Sequence, residues 1–334
     1  MMIGSVTCSI SFYVTSYRRF PSKMQFPPPF SLPDGVISML IWSVLMLIFI
    51  CSGVDLVNAS RVCGWISAPL WRGVKELDLA FVRESDNIPV LSTALLFTVK
   101  TLVRLKLEFP FLMTVPVRVC LPSLMTLELH RIKFEDDDSF KRLISSCPVL
   151  EQLSISCCDM RSITCLKISN HSLKSLTLVL NWYTPDSQLF SLLGTVFDLP
   201  CLVYFKYVAV LEKNNSMGNM LSLVVADTNI SVGGFVGETI YHQPGLVGIL
   251  EGIGNVKSLH MSICPEVVSF PVKKVPSCVV NQLKEFKVID FDNVRSLFKM
   301  VIYILNNATL LHKLREELKI TKRLLRLPSR SIKC

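Results

Sequence analysis

Five histidines, twelve cysteines and one acidic cluster are the residues in this chain whose types could support catalysis or metal binding. His130, His171, His242, His260 and His312 are scattered, and none has a cysteine or carboxylate at ligand spacing on one helix. Cys157 and Cys158 are adjacent, but there is no C-x-x-C pair, so the doubled short spacing of a zinc site is missing. The thiols read instead as reduced, buried side chains that pack as small hydrophobes. Gly233-Gly234-Phe235-Val236-Gly237 is not followed by Lys-Ser/Thr and does not make a phosphate cradle. Glu135–Asp138 lacks the ligand alternation and the glycine of a calcium loop and reads as a solvated helix start. No Gly-x-Ser-x-Gly elbow and no paired Cys-His nucleophile and base are present. The expectation is a chain that is not an enzyme and takes no cofactor and no metal.

If the chemistry is not catalytic, what matters is the surface that the elements build. The chain has 334 residues, half of them apolar and 18% charged, which excludes a disordered protein. Its net charge is +9, and residues 313–334 hold eight Lys/Arg against two Glu. The remainder is nearly balanced, so a nucleic-acid partner is not expected. The basic tail interleaves Lys313, Arg315, Lys319, Lys322 and Arg323 with Leu314, Leu318 and Leu325 at helical spacings, and reads as a cap or an amphipathic helix.

Residues 35–54, GVISMLIWSVLMLIFICSGV, carry no charge. As a helix rising 1.5 Å per residue, such a run is long enough to cross a hydrocarbon layer of about 30 Å. The alternatives are a single-pass membrane span or a buried hydrophobic helix. The cysteine usage fits a cytoplasmic or nuclear location, with the membrane as the alternative.

From residue 74 onward a hexad with apolar residues at positions 1, 4 and 6 recurs. It reads VKELDL at 74, LVRLKL at 102, LMTLEL at 124, LEQLSI at 150, LKSLTL at 173, LVYFKY at 202, VKSLHM at 256 and LKEFKV at 283. The starts lie 28, 22, 26, 23, 29, 54 and 27 residues apart, and a weak copy (Met220, Leu223, Val225) sits inside the double gap. This is the interval of leucine-rich repeats. Positions 4 and 6 alternate with polar residues, as in a strand with one buried face. Leu127 and Leu129 should point inward, and Thr126, Glu128 and His130 outward. The return legs should be helical or irregular; one is legible, where Asp136-Asp137-Asp138-Ser139 opens a turn carrying Phe140, Leu143 and Ile144 and ending near Cys147-Pro148. Each unit has an apolar face too small to bury alone, so the units must stack into a solenoid.

The run from Leu121 to Leu178, the preceding Arg72-Gly73-Val74-Lys75-Glu76-Leu77-Asp78-Leu79, and the C-terminal Val275-Pro276-Ser277-Cys278, Leu283-Lys284-Glu285-Phe286 and Tyr303-Ile304-Leu305-Asn306-Asn307-Ala308 resemble plant F-box/FBD/LRR-repeat proteins. The resemblance implies an α/β leucine-rich-repeat solenoid, with parallel strands on the concave side, irregular helices outside and a C-terminal FBD-like cap. It also implies substrate recruitment to an SCF-type ubiquitin ligase through a Skp-family adaptor. Ser31-Leu32-Pro33-Asp34-Gly35-Val36-Ile37 matches only the opening helix of an F-box, carried by Leu32, Pro33, Val36 and Ile37. The F-box is therefore expected to be degenerate or truncated and its adaptor binding weak.

The expected organisation is an irregular segment 1–29, an F-box remnant or hydrophobic helix 30–60, a solenoid 61–268 and an FBD-like domain 269–334. The expected site is a concave wall that recognises an unknown protein substrate through Lys75, Glu76, Asp78, Arg104, Lys106, Thr126, Glu128, Gln152, Ser154, Lys174, Ser175 and Thr177. The alternatives are a leucine-rich-repeat protein anchored in a membrane through residues 35–54, and a non-functional truncated product.

Overall fold

A computed structural model of the chain describes residues 8–13, 44–51, 67, 70–71, 73–83, 96–108, 112–160, 162–180, 194–210, 215–218, 220–231, 252–263, 277–288, 304, 307–308 and 313–314. The elements open with β1 (Cys8–Tyr13), β2 (Val44–Cys51), β3 (Glu76–Arg83), β4 (Arg104–Glu108), β5 (Leu112–Met113), β6 (Thr126–His130), β7 (Lys133–Phe134) and α1 (Asp137–Ser145). They continue with β8 (Gln152–Ser156), β9 (Cys165–Ser169), β10 (Ser175–Val179), β11 (Gly194–Asp198), β12 (Tyr204–Val210) and β13 (Asn215–Met217). The chain then runs through β14 (Val225–Ser231), β15 (Ser258–Ile263), α2 (Ser277–Asn281), β16 (Glu285–Val288) and β17 (Lys313–Leu314).

Each hexad supplies one rung of a twelve-stranded sheet of order β1-β2-β3-β4-β6-β8-β10-β12-β14-β15-β16-β17. Apart from the antiparallel β1–β2 pair, the strands are parallel and in register, so like positions stack: Leu77 on Leu105, Leu127, Leu153 and Leu176. The fourth and sixth residues are buried and the third and fifth are not, as in β6 and β10. This is the alternation of a strand with one face on the core. A repeated backbone device locks neighbouring rungs. The carbonyl of each second residue accepts two N–H groups of the next rung, from Val103 and Arg104 on Lys75 (2.7 and 3.0 Å) through to Lys284 and Glu285 on Lys257 (2.8 and 3.0 Å). A tight turn three residues earlier feeds the first leucine inward, as in Leu124 N–H to Leu121 C=O (3.2 Å) and Leu202 N–H to Leu199 C=O (3.1 Å).

The return legs differ from the expectation of helices and irregular chain. The expected helix is present: Asp136 caps α1 by accepting the Ser139 N–H (2.6 Å), and Phe140, Leu143 and Ile144 are buried. In the central units, however, the return legs are strands, and β9, β11 and β13 form a second parallel sheet. Asp137 joins the two kinds of return leg: its carboxylate accepts the Thr164 N–H (2.8 Å) and hydroxyl and the Cys165 N–H (3.4 Å) where β9 begins. The sheets close over Phe197, Phe205 and Tyr207, with ring centroids 5.5–6.2 Å apart. Aromatic pairs at this separation add to the area they bury. At Gly218 a Cβ would lie 2.0 Å from the Phe197 carbonyl oxygen, so β13 approaches β11 closely enough only with glycine there.

Three expectations need correction. The run 35–54 is not a membrane-spanning helix: its residues 44–51 are β2, paired with β3 so that Leu45 and Leu47 lie opposite Leu77 and Leu79. Among the described residues no helix is long and apolar enough to cross a membrane. A continuous apolar run suits a sheet strand as well as a helix, and pairing with a formed rung decides between them. The weak copy is offset by three residues: Leu223, Ala226 and Thr228 occupy positions 1, 4 and 6, while Val225 faces outward opposite Tyr204. The double gap therefore divides into 21 and 33 residues, with small Ala226 and hydroxylated Thr228 hiding the pattern. Finally, Lys313–Leu314 is a strand paired with β16 and not the start of a helix. The rest of the basic tail and the F-box-like Leu32, Pro33, Val36 and Ile37 lie outside the described residues. The sheet runs without a break across residue 269, because β16 adds to β15 in the common register.

Candidate functional site

The wall is the outer face of the large sheet, built from residues 3, 5 and 7 of each rung. Because the rungs are in register, these side chains form rows across the strands, about 4.8 Å apart from rung to rung. Ten of the twelve expected residues lie on this face. Lys75 and Lys174 do not. Both are second residues, just before their strands begin, and stand exposed on the rim.

Two chemically different regions follow along the wall. On β3, β4 and β6 the charges other than Glu76 pair between rungs. Lys106 Nζ lies 3.4 Å from Asp78 Oδ2, and Arg104 Nη2 lies 2.8 Å from Glu128 Oε1, with its Nε at 3.3 Å from the same oxygen. Glu108 faces Arg131 (3.5 Å) and His130 (3.9 Å). The bond to Glu128 raises the Arg104 pKa further, and burial raises that of Asp78 against the pull of Lys106. The buried Asp78 Oδ1 has no hydrogen-bond partner among the described residues.

On β8 and β10 the wall is uncharged. Gln152, Ser154, Ser175 and Thr177 line it, and among the described residues none of their side chains makes a hydrogen bond. The stretch is bounded on one side by Ser156, 2.7 Å from His130 Nδ1. On the other side stand Tyr204, whose hydroxyl pKa is raised by burial and then by Asp227, and Lys206, 3.8 Å from Asp227. Beyond lie Ser258, which donates to Glu285 (3.2 Å), and His260. Glu108, His130, Ser156, Tyr204, Lys206, Asp227 and His260 were missing from the expected site. Extending positions 3, 5 and 7 to every hexad would have found them, except Asp227, which the misplaced copy concealed.

Buried Asn170, at 7% exposure, also escaped notice. It stands where other rungs carry an apolar residue in the turn, donates to the Cys147 carbonyl (3.0 Å) and accepts the Ser172 N–H (2.9 Å). These bonds position β10 on β8.

The cysteines divide. Cys147 and Cys158 are buried, which pushes their thiols up to about 11 and about 12, so neither is a nucleophile near neutrality. Cys120, Cys157 and Cys201 are exposed, against the expectation that the thiols are buried. Among the described residues no three His, Cys, Asp or Glu side chains are placed to hold a metal ion.

A parallel ladder of 21- to 33-residue units, one polar wall and a core of stacked leucines define a leucine-rich-repeat solenoid. A family profile described as "FBD-associated F-box protein At5g56370, LRR repeats" matches residues 62–237, and an FBD profile matches residues 271–315. The FBD-associated F-box protein At5g38590 of Arabidopsis thaliana is 30% identical over 295 residues, covering 75% of this chain and 70% of that protein. The F-box/LRR-repeat protein At5g38396 of the same plant is 33% identical over 264 residues, covering 71% and 52%. The putative F-box/LRR-repeat protein At3g59160, also from that plant, is 31% identical over 268 residues, covering 74% and 55%. The chain belongs to the F-box/FBD/LRR-repeat family, and it spans about half the length of two of these three relatives. No solved structure matches it.

Proposed function

We propose that the protein is a non-catalytic recognition module whose wall binds a protein substrate through the uncharged stretch at Gln152, Ser154, Ser175 and Thr177. The observation that carries this reading is that these side chains lie in register at the middle of the wall with no hydrogen bond among the described residues. The charges beside them are already paired. Groups unpaired in the free protein gain the most from a partner's donors and acceptors, whereas paired charges mainly orient it and exclude mismatched surfaces. The membership of the family extends the reading to substrate binding for an SCF-type ubiquitin ligase, in the cytoplasm or nucleus, with adaptor binding weakened by the reduced F-box.

Two measurements test the two halves of the reading. A photo-crosslinker placed at Ser154 should trap a discrete protein in cell extract, and one placed at Lys167 on β9 should not; equal trapping at both sites overturns wall recognition. Purified Skp-family adaptor should bind the full chain weakly or not at all, and tight binding refutes the impaired F-box while leaving the wall untouched.

A further inference from the structure

Of the six large apolar side chains that stand exposed among the described residues, five lie along one edge, where the chain enters the wall strands. Trp71 is 81% and Leu221 70% exposed, and Met125, Val149 and Val203 lie between 39% and 43%. The second residues of the rungs form the spine of this rim, because the carbonyl of each is bonded to its counterpart in the next rung. Read in order, the spine is Lys75, Val103, Met125, Glu151, Lys174, Val203, Val224, Lys257 and Lys284. Within it stands an ion pair, Lys174 Nζ to Glu151 Oε1 at 2.6 Å, with two apolar residues on either side.

The order from Lys75 to Lys257 is self-complementary. When a second copy is turned about a two-fold axis between Glu151 and Lys174, Glu151 of one copy meets Lys174 of the other. Met125 then meets Val203, and Val103 meets Val224. A two-fold interface requires this reciprocity of one patch with itself. The two ion pairs merge at the axis into a ring of alternating charge. Lys75 and Lys257 face each other and Lys284 lies one rung beyond; these lysines oppose the pairing, but they are exposed and screened at physiological salt. We propose that this rim is a homodimer interface, and that it leaves both recognition walls open. The apolar spine from Val103 to Val224 spans five rung steps, about 24 Å. A strip of that length belongs to the small, reversible class of contact, so the dimer forms at micromolar concentrations.

Sedimentation velocity on the full chain tests this through charge reversal. The wild type should show a monomer–dimer equilibrium. Lys174→Glu places like charges at the axis twice and should weaken it at least tenfold, about 1.4 kcal/mol. Glu151→Lys should do the same, and the double reversal should restore the wild-type constant to within roughly threefold. Met125→Asp, at an exposed position that leaves the core intact, should abolish the dimer with an unchanged melting curve. A wild type that stays monomeric to its solubility limit overturns the proposal. So does a dimer indifferent to Lys174→Glu and Met125→Asp, which would place the contact on another surface.

Discussion

The two neighbouring regions of the wall are built on the same backbone and differ in what their side chains already have. On β3, β4 and β6, the charged residues other than Glu76 pair with one another across rungs. On β8 and β10, the hydroxyl and amide groups of Gln152, Ser154, Ser175 and Thr177 face outward without partners among the described residues. The core beneath changes as well: the charged flank rests on Leu77, Leu105 and Leu127, whereas beyond the uncharged stretch Phe197, Phe205 and Tyr207 tie the two sheets together. On the function proposed above, charge density is a poor guide to where a partner docks. A surface whose charges are satisfied has less to gain from a partner than a quieter surface whose hydrogen-bonding groups still face solvent.

The largest effect that can break this contrast lies in the core. Phe205→Ala removes a ring that touches both Phe197 and Tyr207, and should cost about 3–5 kcal/mol in urea unfolding. Leu127→Ala under the charged flank should sit nearer the lower end of the 2–5 kcal/mol range for buried leucines. If the leucine costs as much as the phenylalanine, aromatic closure does not distinguish the regions.

Next in size is a change at the surface of the quiet stretch. Thr177→Arg fills the middle of the wall with a long cation and should weaken binding of the protein trapped at Ser154 roughly 100-fold, the scale of a central hot spot. Its melting temperature should stay with that of the wild type, since Thr177 is not part of the core. An Arg104→Gln change on the flank should alter the same affinity only a few-fold. Equal losses would erase the distinction between paired and unpaired groups.

A smaller effect measures the flank directly. A double-mutant cycle on Arg104→Gln and Glu128→Gln should return a coupling below about 1 kcal/mol that shrinks with added salt, because the pair is partly exposed. A larger, salt-independent coupling would make the flank a structural clamp.

Most of the rungs were legible in the sequence because leucine at positions 1, 4 and 6 leaves few alternatives for a short strand. Ala226 and Thr228 broke the pattern, since a small residue and a threonine serve at rung positions where the neighbouring strands carry large side chains. Residues 44–51 hid in a longer uncharged run whose length suited a helix, and nothing local distinguishes such a run from a strand. The second sheet was also missed: Cys165–Ser169 and Gly194–Asp198 are short, and what makes them strands is their stacking on one another. The site was half legible. Its positions followed from alternation within one hexad, whereas its charge pairing required the register between residues 24 to 28 apart. Asn170 was invisible for the same reason, since its carbonyl partner belongs to the previous rung.

The smallest effect concerns pH and separates the flank's charges into helpful and costly. Burial raises the Asp78 pKa in the folded protein despite Lys106 at 3.4 Å, so the fold disfavours its charged form. Below the unfolded value of about 3.9 the carboxyl is protonated in both states and no cost arises. As pH climbs through the raised folded value the penalty accumulates, and at neutral pH the wild type carries all of it. Asn at this position keeps the shape and cannot ionise. Asp78→Asn should therefore match or exceed wild-type stability at pH 7, by a few tenths up to about 1 kcal/mol, because the lost ion pair is small. The advantage should disappear when both proteins are unfolded with urea at pH 3.5. If Asp78→Asn is instead less stable at pH 7, and the deficit shrinks on acidification, the Lys106 pair outweighs burial. The charged flank then holds the fold together through its ion pairs.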